Sequence, residues 1–495
     1  MTDRPAPPRG PAPGSLPVLP GQVLPGQVLP GRDEAFWKAQ EKRRGKQLGQ
    51  PCCTQSGMSW SMIDVPGNFA VVVHGEYDCL NCFHHHTGRS AHQYYSTRLT
   101  EEMLTTGRTE AQLRRCLELI AEHQRPEVVL VLGTCPVEVI GDRFGPVVQD
   151  VSARTGIPMV PLRTSGLALS TQEAMLDWLF ETLARLPPGP PVDRRLRTET
   201  AELALELLFD TGLDPHALAG RAAALAAARG TAGPRVNLVG LPAGPAGAPE
   251  PLAVLAAAGI EVNGTYPDGA SIAEWRAIRH AAHGFVVDRT VYPRLVRALG
   301  EHGQPIVEVP LPVGLDQTRR FYRAIGEATG RLAELEAACS PHAASAEEAV
   351  ESFRDRHRGL RAAVAIRMMN SYRSDVLAYD GLGEVAALEE LGFEVELLIQ
   401  GPPEEDARER MRERLAARGS AHSFRAFPGP YALGQMLTEG GYDLCVIADS
   451  SREAAHAAAV PMLSTRSLGA FFGAVPDNVD RIERALAERR APGHA

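Results

Sequence analysis

Glu127-Val-Val-Leu-Val-Leu132-Gly133-Thr-Cys135-Pro136 is a short aliphatic run that stops at a glycine and hands over to a cysteine. Comparable runs recur along the chain with helical stretches between them, which is the pattern of parallel α/β sheets. Around it stand Phe69-Ala-Val-Val-Val73 and Ile157-Pro-Met-Val-Pro-Leu162, with an amphipathic stretch at 109–123. A second group follows at 235–239, 260–262, 284–287 and 306–309, and a third at 364–366, 393–399, 444–447 and 460–463. Each group predicts one small doubly wound unit. A weak internal repeat supports the division. A helical stretch ends at Gly and a large apolar residue opens the next strand at Gly156-Ile157, Gly259-Ile260 and Gly392-Phe393, where Gly acts as a helix stop.

The fold class is therefore α/β, with three Rossmann-like, doubly wound parallel-sheet domains. Residues 1–33, rich in Pro and Gly and carrying the repeat Leu19-Pro-Gly-Gln-Val-Leu24-Pro-Gly-Gln-Val, read as a disordered tail. The boundaries that follow are 34–229 for the first domain with trailing helices, 230–357 for the second with a linking helix near 331–358, and 358–495 for the third.

Composition narrows the function classes. A chain of 495 residues, 44% hydrophobic and 22% charged, is ordinary for a globular protein of several domains. No apolar run approaches the roughly 18 residues a membrane span requires, and no secretory leader pattern opens the chain, so a cytoplasmic protein without membrane contact is expected. The net charge of −9 argues against a nucleic-acid partner. Lys38, Lys42 and Lys46 are the only lysines, so no later Gly-Lys-Ser/Thr can close a P-loop, and ATP binding by that device is excluded. Gly381-Leu382-Gly383 with Ala386 follows no strand and carries no dinucleotide reading.

The eight cysteines divide into two groups. Cys116, Cys339 and Cys445 fall within helical or strand patterns and read as buried small hydrophobes. Cys52, Cys53, Cys79, Cys82 and Cys135 crowd into loops where strands end, which is where open α/β sheets bind ligands. Loop thiolates at one sheet edge point to a shared metal. Zinc on Cys52 or Cys53 with Cys79-x-x-Cys82 and an iron–sulfur cluster both satisfy the spacing. Zinc would leave Cys135 unexplained.

The residues match a known pattern. Cys53, then His74-Gly75-Glu-Tyr-Asp-Cys79, then Cys135-Pro-Val-Glu-Val-Ile140-Gly141-Asp142 resembles the nitrogenase component 1 superfamily, which includes nitrogenase subunits, their cofactor-assembly homologues and the dark-operative protochlorophyllide and chlorophyllide reductases. Ser96-Thr-Arg-Leu-Thr100-Glu101-Glu102 through Gly107 is similar to the family's Ser/Thr-rich stretch, and Asp268-Gly269-Ala-Ser271-Ile272-Ala-Glu274 to a family helix start with a capping-box spacing.

The resemblance implies the nitrogenase component 1 fold and an oxygen-sensitive oxidoreductase subunit. It implies that Cys53, Cys79 and Cys135 ligate an iron–sulfur cluster, [4Fe–4S] or P-cluster-like, shared with a homologous partner subunit in an α₂β₂ assembly. Electrons would come from a separate ATP-dependent iron protein and pass to a small-molecule substrate. Cys52 is a substitute for Cys53 in this scheme, and Cys82 has no family counterpart. Nitrogenase's catalytic subunit holds its metal cofactor through a Cys in the second domain and a His in the third. Here the matching segments are Phe285-Val-Val-Asp288-Arg289 and Pro461-Met-Leu-Ser-Thr465-Arg-Ser-Leu-Gly469, with neither ligand, and His422 and His456 fall elsewhere, so dinitrogen reduction by this subunit is not expected. The substrate is then an organic molecule such as a tetrapyrrole, or the subunit is the supporting half of a pair. The other readings are a cofactor-assembly scaffold and a zinc-stabilised α/β binding protein.

Asp288 reads as a strand-end carboxylate paired with Arg289 or capping a helix, or as a proton donor in a dry cleft. Consecutive His84-His85-His86, with His92, diverge on a helix and read as solvated or interface groups.

Overall fold

The computed structural model describes residues 53–62, 65–81, 93–165, 172–192, 233–241, 249–267, 270–287, 289, 292–367, 382–400, 409, 412–413, 416, 422–447, 451–465 and 467–488. The stretches 1–33 and 199–229, together with Cys52, Cys82, His84–His86, His92 and Asp288, lie outside them.

The first sheet contains β1 (Phe69–His74), β2 (Tyr94–Ser96), β3 (Val128–Gly133) and β4 (Met159–Arg163), all parallel, in the order β2-β1-β3-β4. Helices α1 (Thr54–Met62), α2 (Glu101–Thr106), α3 (Thr109–His123), α4 (Cys135–Val139), α5 (Gly145–Thr155) and α6 (Gln172–Ala184) surround it. Every residue of β1 and β3 is buried because helices cover both faces. Successive side chains go to opposite cores: Phe69, Val71 and Val73 pack with Met58, Met175 and Leu179, while Ala70 and Val72 pack with Leu113, Leu117 and Val147.

The second sheet is built from β5 (Arg235–Val239), β6 (Glu261–Tyr266), β7 (His283–Val286) and β8 (Ile306–Glu308), again parallel and in the order β6-β5-β7-β8. Its helices are α7 (Pro249–Ala257), α8 (Ile272–Ala277) and α9 (Pro293–Glu301), followed by α10 (Leu315–Thr329) and the long α11 (Leu332–Arg356). The third sheet runs β11-β10-β9-β12-β13, with β9 (Arg361–Arg367), α12 (Leu382–Glu390), β10 (Glu394–Gln400), β11 (Phe424–Phe427), α13 (Pro430–Gly440), β12 (Leu444–Ile447), α14 (Arg452–Ala457), β13 (Met462–Ser464) and α15 (Ala474–Glu488). All three sheets are doubly wound, as the sequence pattern predicts. The short strands β2 and β11 were not anticipated; both are edge strands that keep polar residues such as Gln93, Ser96 and Arg425 in or beside them.

Local signals act as expected. Gly156 and Gly259 take φ of 70° and 72°, and Gly392 takes 91°, so each ends its helix in a conformation costly for other residues. Ser271 and Glu274 form the full capping box of α8.

Three carboxylates tie the sheets together by capping helix starts that belong to a different unit. Asp177 of α6 accepts the backbone N–H groups of Arg294 at 2.9 Å and Leu295 at 3.0 Å, at the start of α9. Glu390 of α12 accepts from Leu315 and Asp316 at 2.7 and 2.9 Å, at the start of α10. Glu250 of α7 accepts from Phe472 and Gly473 at 3.1 and 2.6 Å, just before α15. Each supplies the acceptor that a helix terminus lacks. Beside Asp177, the ring of Phe180 stacks on Trp275 at 5.7 Å between centroids and meets Tyr292 edge-on at 5.3 Å. Burial raises the Asp177 carboxyl above its ordinary pKa, against the pull of its two N–H donors. Replacing Asp177 with Ala should lower stability by about 1–2 kcal/mol, measured by denaturant unfolding; an unchanged midpoint would show that α9 needs no cap from α6.

Candidate functional site: a cysteine cluster on the carboxyl edge of the first sheet

In the first sheet the strand order reverses between β1 and β3, and ligands of open α/β folds bind at the carboxyl ends of the strands flanking such a reversal. His74 at the end of β1 pairs in register with Gly133 at the end of β3. Cys79 lies five residues beyond that pair in a helical turn at 77–81, and Cys135 is the first residue of α4. Cys53 precedes α1, and its carbonyl accepts the Gly57 N–H at 2.9 Å. The neighbouring Gln55 N–H donates to Thr164 O at 2.9 Å, beyond the end of β4, so α1 starts at the same edge.

Cys53 is exposed, and Cys79 and Cys135 are half-buried. Burial pushes the Cys79 thiol up to about 11, and the thiols of Cys53 and Cys135 add to the shift, followed by Glu76 and Asp78. A metal taking Cys79 must displace its proton, so loading would release acid. Among the described residues, no three His, Cys, Asp or Glu side chains converge on a point that would hold one metal ion. The buried hydroxyl of Thr54, adjacent to Cys53, has no hydrogen-bond partner among the described residues. Three soft sulfur donors on segments that meet one sheet edge, with an unused hydroxyl donor next to Cys53, suit a polynuclear group with several acceptor sulfurs better than a single ion.

The edge is held by buried polar contacts. Thr134 donates its hydroxyl to His74 O at 2.9 Å, and Gly75 is a glycine because a Cβ there would run into the Thr134 side chain. His74, fully buried, places Nδ1 3.2 Å from Thr97 Oγ1 and Nε2 3.3 Å from Asp142 Oδ2. Gly75 N–H donates to Thr97 Oγ1 at 3.0 Å. Arg163 donates to Glu138 Oε2 at 3.1 Å and to Asp142 O at 3.2 Å, joining the end of β4 to the last turn of α4 and the turn that follows it. These residues position the turns that carry Cys79 and Cys135. Sequence reasoning quoted His74 and Asp142 as parts of a motif without assigning their mutual contact. The stretch after β2 is α2, with Thr100 capping Met103 N, two acids in its first turn and Gly107 ending it at φ 71°.

Apolar side chains flank the thiols. Val139 is 72% exposed, Ile140 46% and Tyr77 42%, the last with the Arg98 guanidinium 4.6 Å above its ring. Cys339 and Cys445 are buried and Cys116 half-buried, and burial pushes their thiols up to about 12, 12 and 11, which suits inert packing groups. Arg289 donates to Ile306 O at 2.7 Å and faces Glu308 at 3.5 Å. His422 pairs with Glu389 of α12 at 2.5 Å. Among the described residues no helix is long and apolar enough to cross a membrane.

Three parallel doubly wound sheets with cysteines just after the strands of the first switch point are the features that the comparisons with known proteins pick up. The chain belongs to the nitrogenase component 1 type oxidoreductase family, whose description matches residues 53–470. It is similar to the light-independent protochlorophyllide reductase subunit N of Heliobacterium modesticaldum, 26% identical over 281 residues, 55% of this chain and 59% of that protein. It is also similar to the nitrogenase iron-molybdenum cofactor biosynthesis protein NifE of Rhodobacter capsulatus, 34% identical over 90 residues, 17% of this chain and 19% of that protein. NifE of Sinorhizobium fredii is 28% identical over 103 residues, 19% and 21% of the two chains. The matches thus span about a fifth of the NifE relatives and 59% of subunit N. The solved structure described as nitrogenase Cp1 at pH 6.5 shares the fold, with a TM-score of 0.62 over 90% of this chain and 91% of that one at 13% identity.

Burial would raise the Asp142 carboxyl, but hydrogen bonds from His74 and Thr109, with the charges of His74 and Arg163, outweigh it and hold it below the usual carboxylate value. A lowered folded pKa contributes stability above the ordinary carboxylate pKa of about 4, and that stability disappears as pH falls through the folded value. Asp142→Asn should therefore be less stable at pH 7 by about 1–3 kcal/mol, with the difference closing toward acid; an equal gap at both ends of the pH range would contradict this.

Proposed function

We propose that the chain is one subunit of a nitrogenase-like reductase complex, with Cys53, Cys79 and Cys135 holding part of an iron–sulfur cluster at a subunit interface. The observation that supports the reading is the placement of Cys79 and Cys135 just after β1 and β3, the strands that flank the switch point, with Cys53 opening a segment tied to the same sheet edge. A cluster there would supply one-electron transfer at low potential. The chain's own part is to present thiolates on turns fixed by Thr134 and by the buried His74–Asp142 contact. The exposed Val139, Ile140 and Tyr77 beside the thiols suit a homologous partner subunit that completes the ligand set and shields the cluster from water. Electrons would arrive from an ATP-dependent iron protein and leave to a small organic substrate. Division at about 230 and 358 into three domains fits the placement of the three sheets.

The similarity to NifE favours a second reading, in which the same fold and cluster serve cofactor assembly without turnover. The complex, purified anaerobically with its homologous partner and reduced by its iron protein with ATP, separates the two. A reductase is reoxidised by a reducible organic substrate, followed by loss of the reduced cluster's EPR signal. A scaffold stays reduced whatever substrate is offered, which would overturn the reductase reading.

A further inference from the structure

Thr54 stands out at the cysteine edge. It directly follows Cys53, opens α1, is 3% exposed, and its Oγ1 finds no partner among the described residues. An unanswered buried hydroxyl is costly, so such a group calls for a partner. The backbone around it is pinned. Gln55 N–H donates to Thr164 O at 2.9 Å, and Thr164 returns its own N–H and hydroxyl to Gly133 O at 3.1 and 3.0 Å. Thr54 therefore begins a helix tied through Thr164 to Gly133, two residues from Cys135, with its hydroxyl turned away from solvent.

A second unanswered atom lies near the same edge. Glu138 stands three residues beyond Cys135, and its Oε1 is buried without a partner while Oε2 accepts from Arg163. The two groups differ in what they can serve. A carboxylate paired with arginine only accepts, whereas a hydroxyl also donates. Thiolates and inorganic sulfides are acceptors, so of the two only Thr54 complements a sulfur-rich group.

We propose that the Thr54 hydroxyl donates a hydrogen bond to a sulfur of the group held by Cys53 and Cys135, and that it raises that group's affinity for an electron. The proposal rests on the iron–sulfur reading above. A donor aimed at sulfur stabilises the extra negative charge of the reduced state and so lifts the reduction potential. Thr54 ligates nothing and is a positioning residue that acts through the sulfur it touches.

The test uses the whole complex, purified anaerobically with the partner subunit, as wild type, Thr54→Val and Thr54→Ser. Iron, acid-labile sulfide and the EPR spectrum establish loading, and a redox titration followed by EPR gives the midpoint potential. Thr54→Val should keep its iron and sulfide but titrate at a lower potential than wild type, while Thr54→Ser, which keeps the hydroxyl, should match wild type. An iron-replete Thr54→Val with the wild-type potential overturns the proposal and leaves the iron–sulfur reading intact. Equal shifts in the Val and Ser variants also overturn it, because Ser keeps the hydroxyl and the shift would then not trace to its loss. If Thr54→Val loads poorly, Thr54→Ala gives the same comparison without the branched side chain. A wild-type complex without iron and sulfide overturns the proposal and the underlying reading together.

Discussion

The parallel pairing of β1 with β3 is the constraint on which the site depends. Because both strands are buried on both faces, their register is fixed by two separate cores, and a slip of one residue would turn each strand's apolar set the wrong way. That register brings His74 opposite Gly133. Beyond the pair, the Thr134 hydroxyl reaches back to His74 O and Gly75 leaves room for it. The turns carrying Cys79 and Cys135 consequently emerge side by side at the point where the strand order reverses.

The polar supports of this edge share a logic. His74, Thr97, Thr134 and Asp142 are all buried, and each reaches a partner distant in sequence, so the thiol-bearing turns are set by contacts that the surrounding core encloses. The same device operates between sheets, where Asp177, Glu250 and Glu390 cap helices of neighbouring units. Negative charge at a helix start is favourable, and here it also fixes how one unit meets the next. The cysteine edge is thus carried by a framework whose joints are specific hydrogen bonds as well as apolar burial.

Much of the fold was legible in the sequence because its strands are doubly covered. The runs at 69–73, 127–132 and 444–447 correspond to β1, β3 and β12 within a residue at either end, and the linking helix expected at 331–358 is α11. Strands β2 and β11 were not legible, since β2 is only three residues long and Arg425 interrupts β11, so neither carries the continuous apolar run that revealed other edge strands such as β4. Cys53, Cys79 and Cys135 stood out through their type and their position after strands. The His74–Asp142 contact spans 68 residues and the Asp177 cap 117, and local pattern holds no trace of either. Thr54 was invisible for another reason: a threonine at a helix start reads as an ordinary residue until its burial and missing partner are seen.

The central claim is that the three thiols of this edge share one iron–sulfur group. Its most direct measurement is the iron and acid-labile sulfide content, with the EPR spectrum, of the anaerobically purified complex beside its Cys135→Ala variant. The account predicts brown wild-type protein containing iron and sulfide, with both lost or sharply reduced in the variant. Colourless wild-type protein carrying zinc or no metal, or a variant that retains the full iron and sulfide complement, would contradict it.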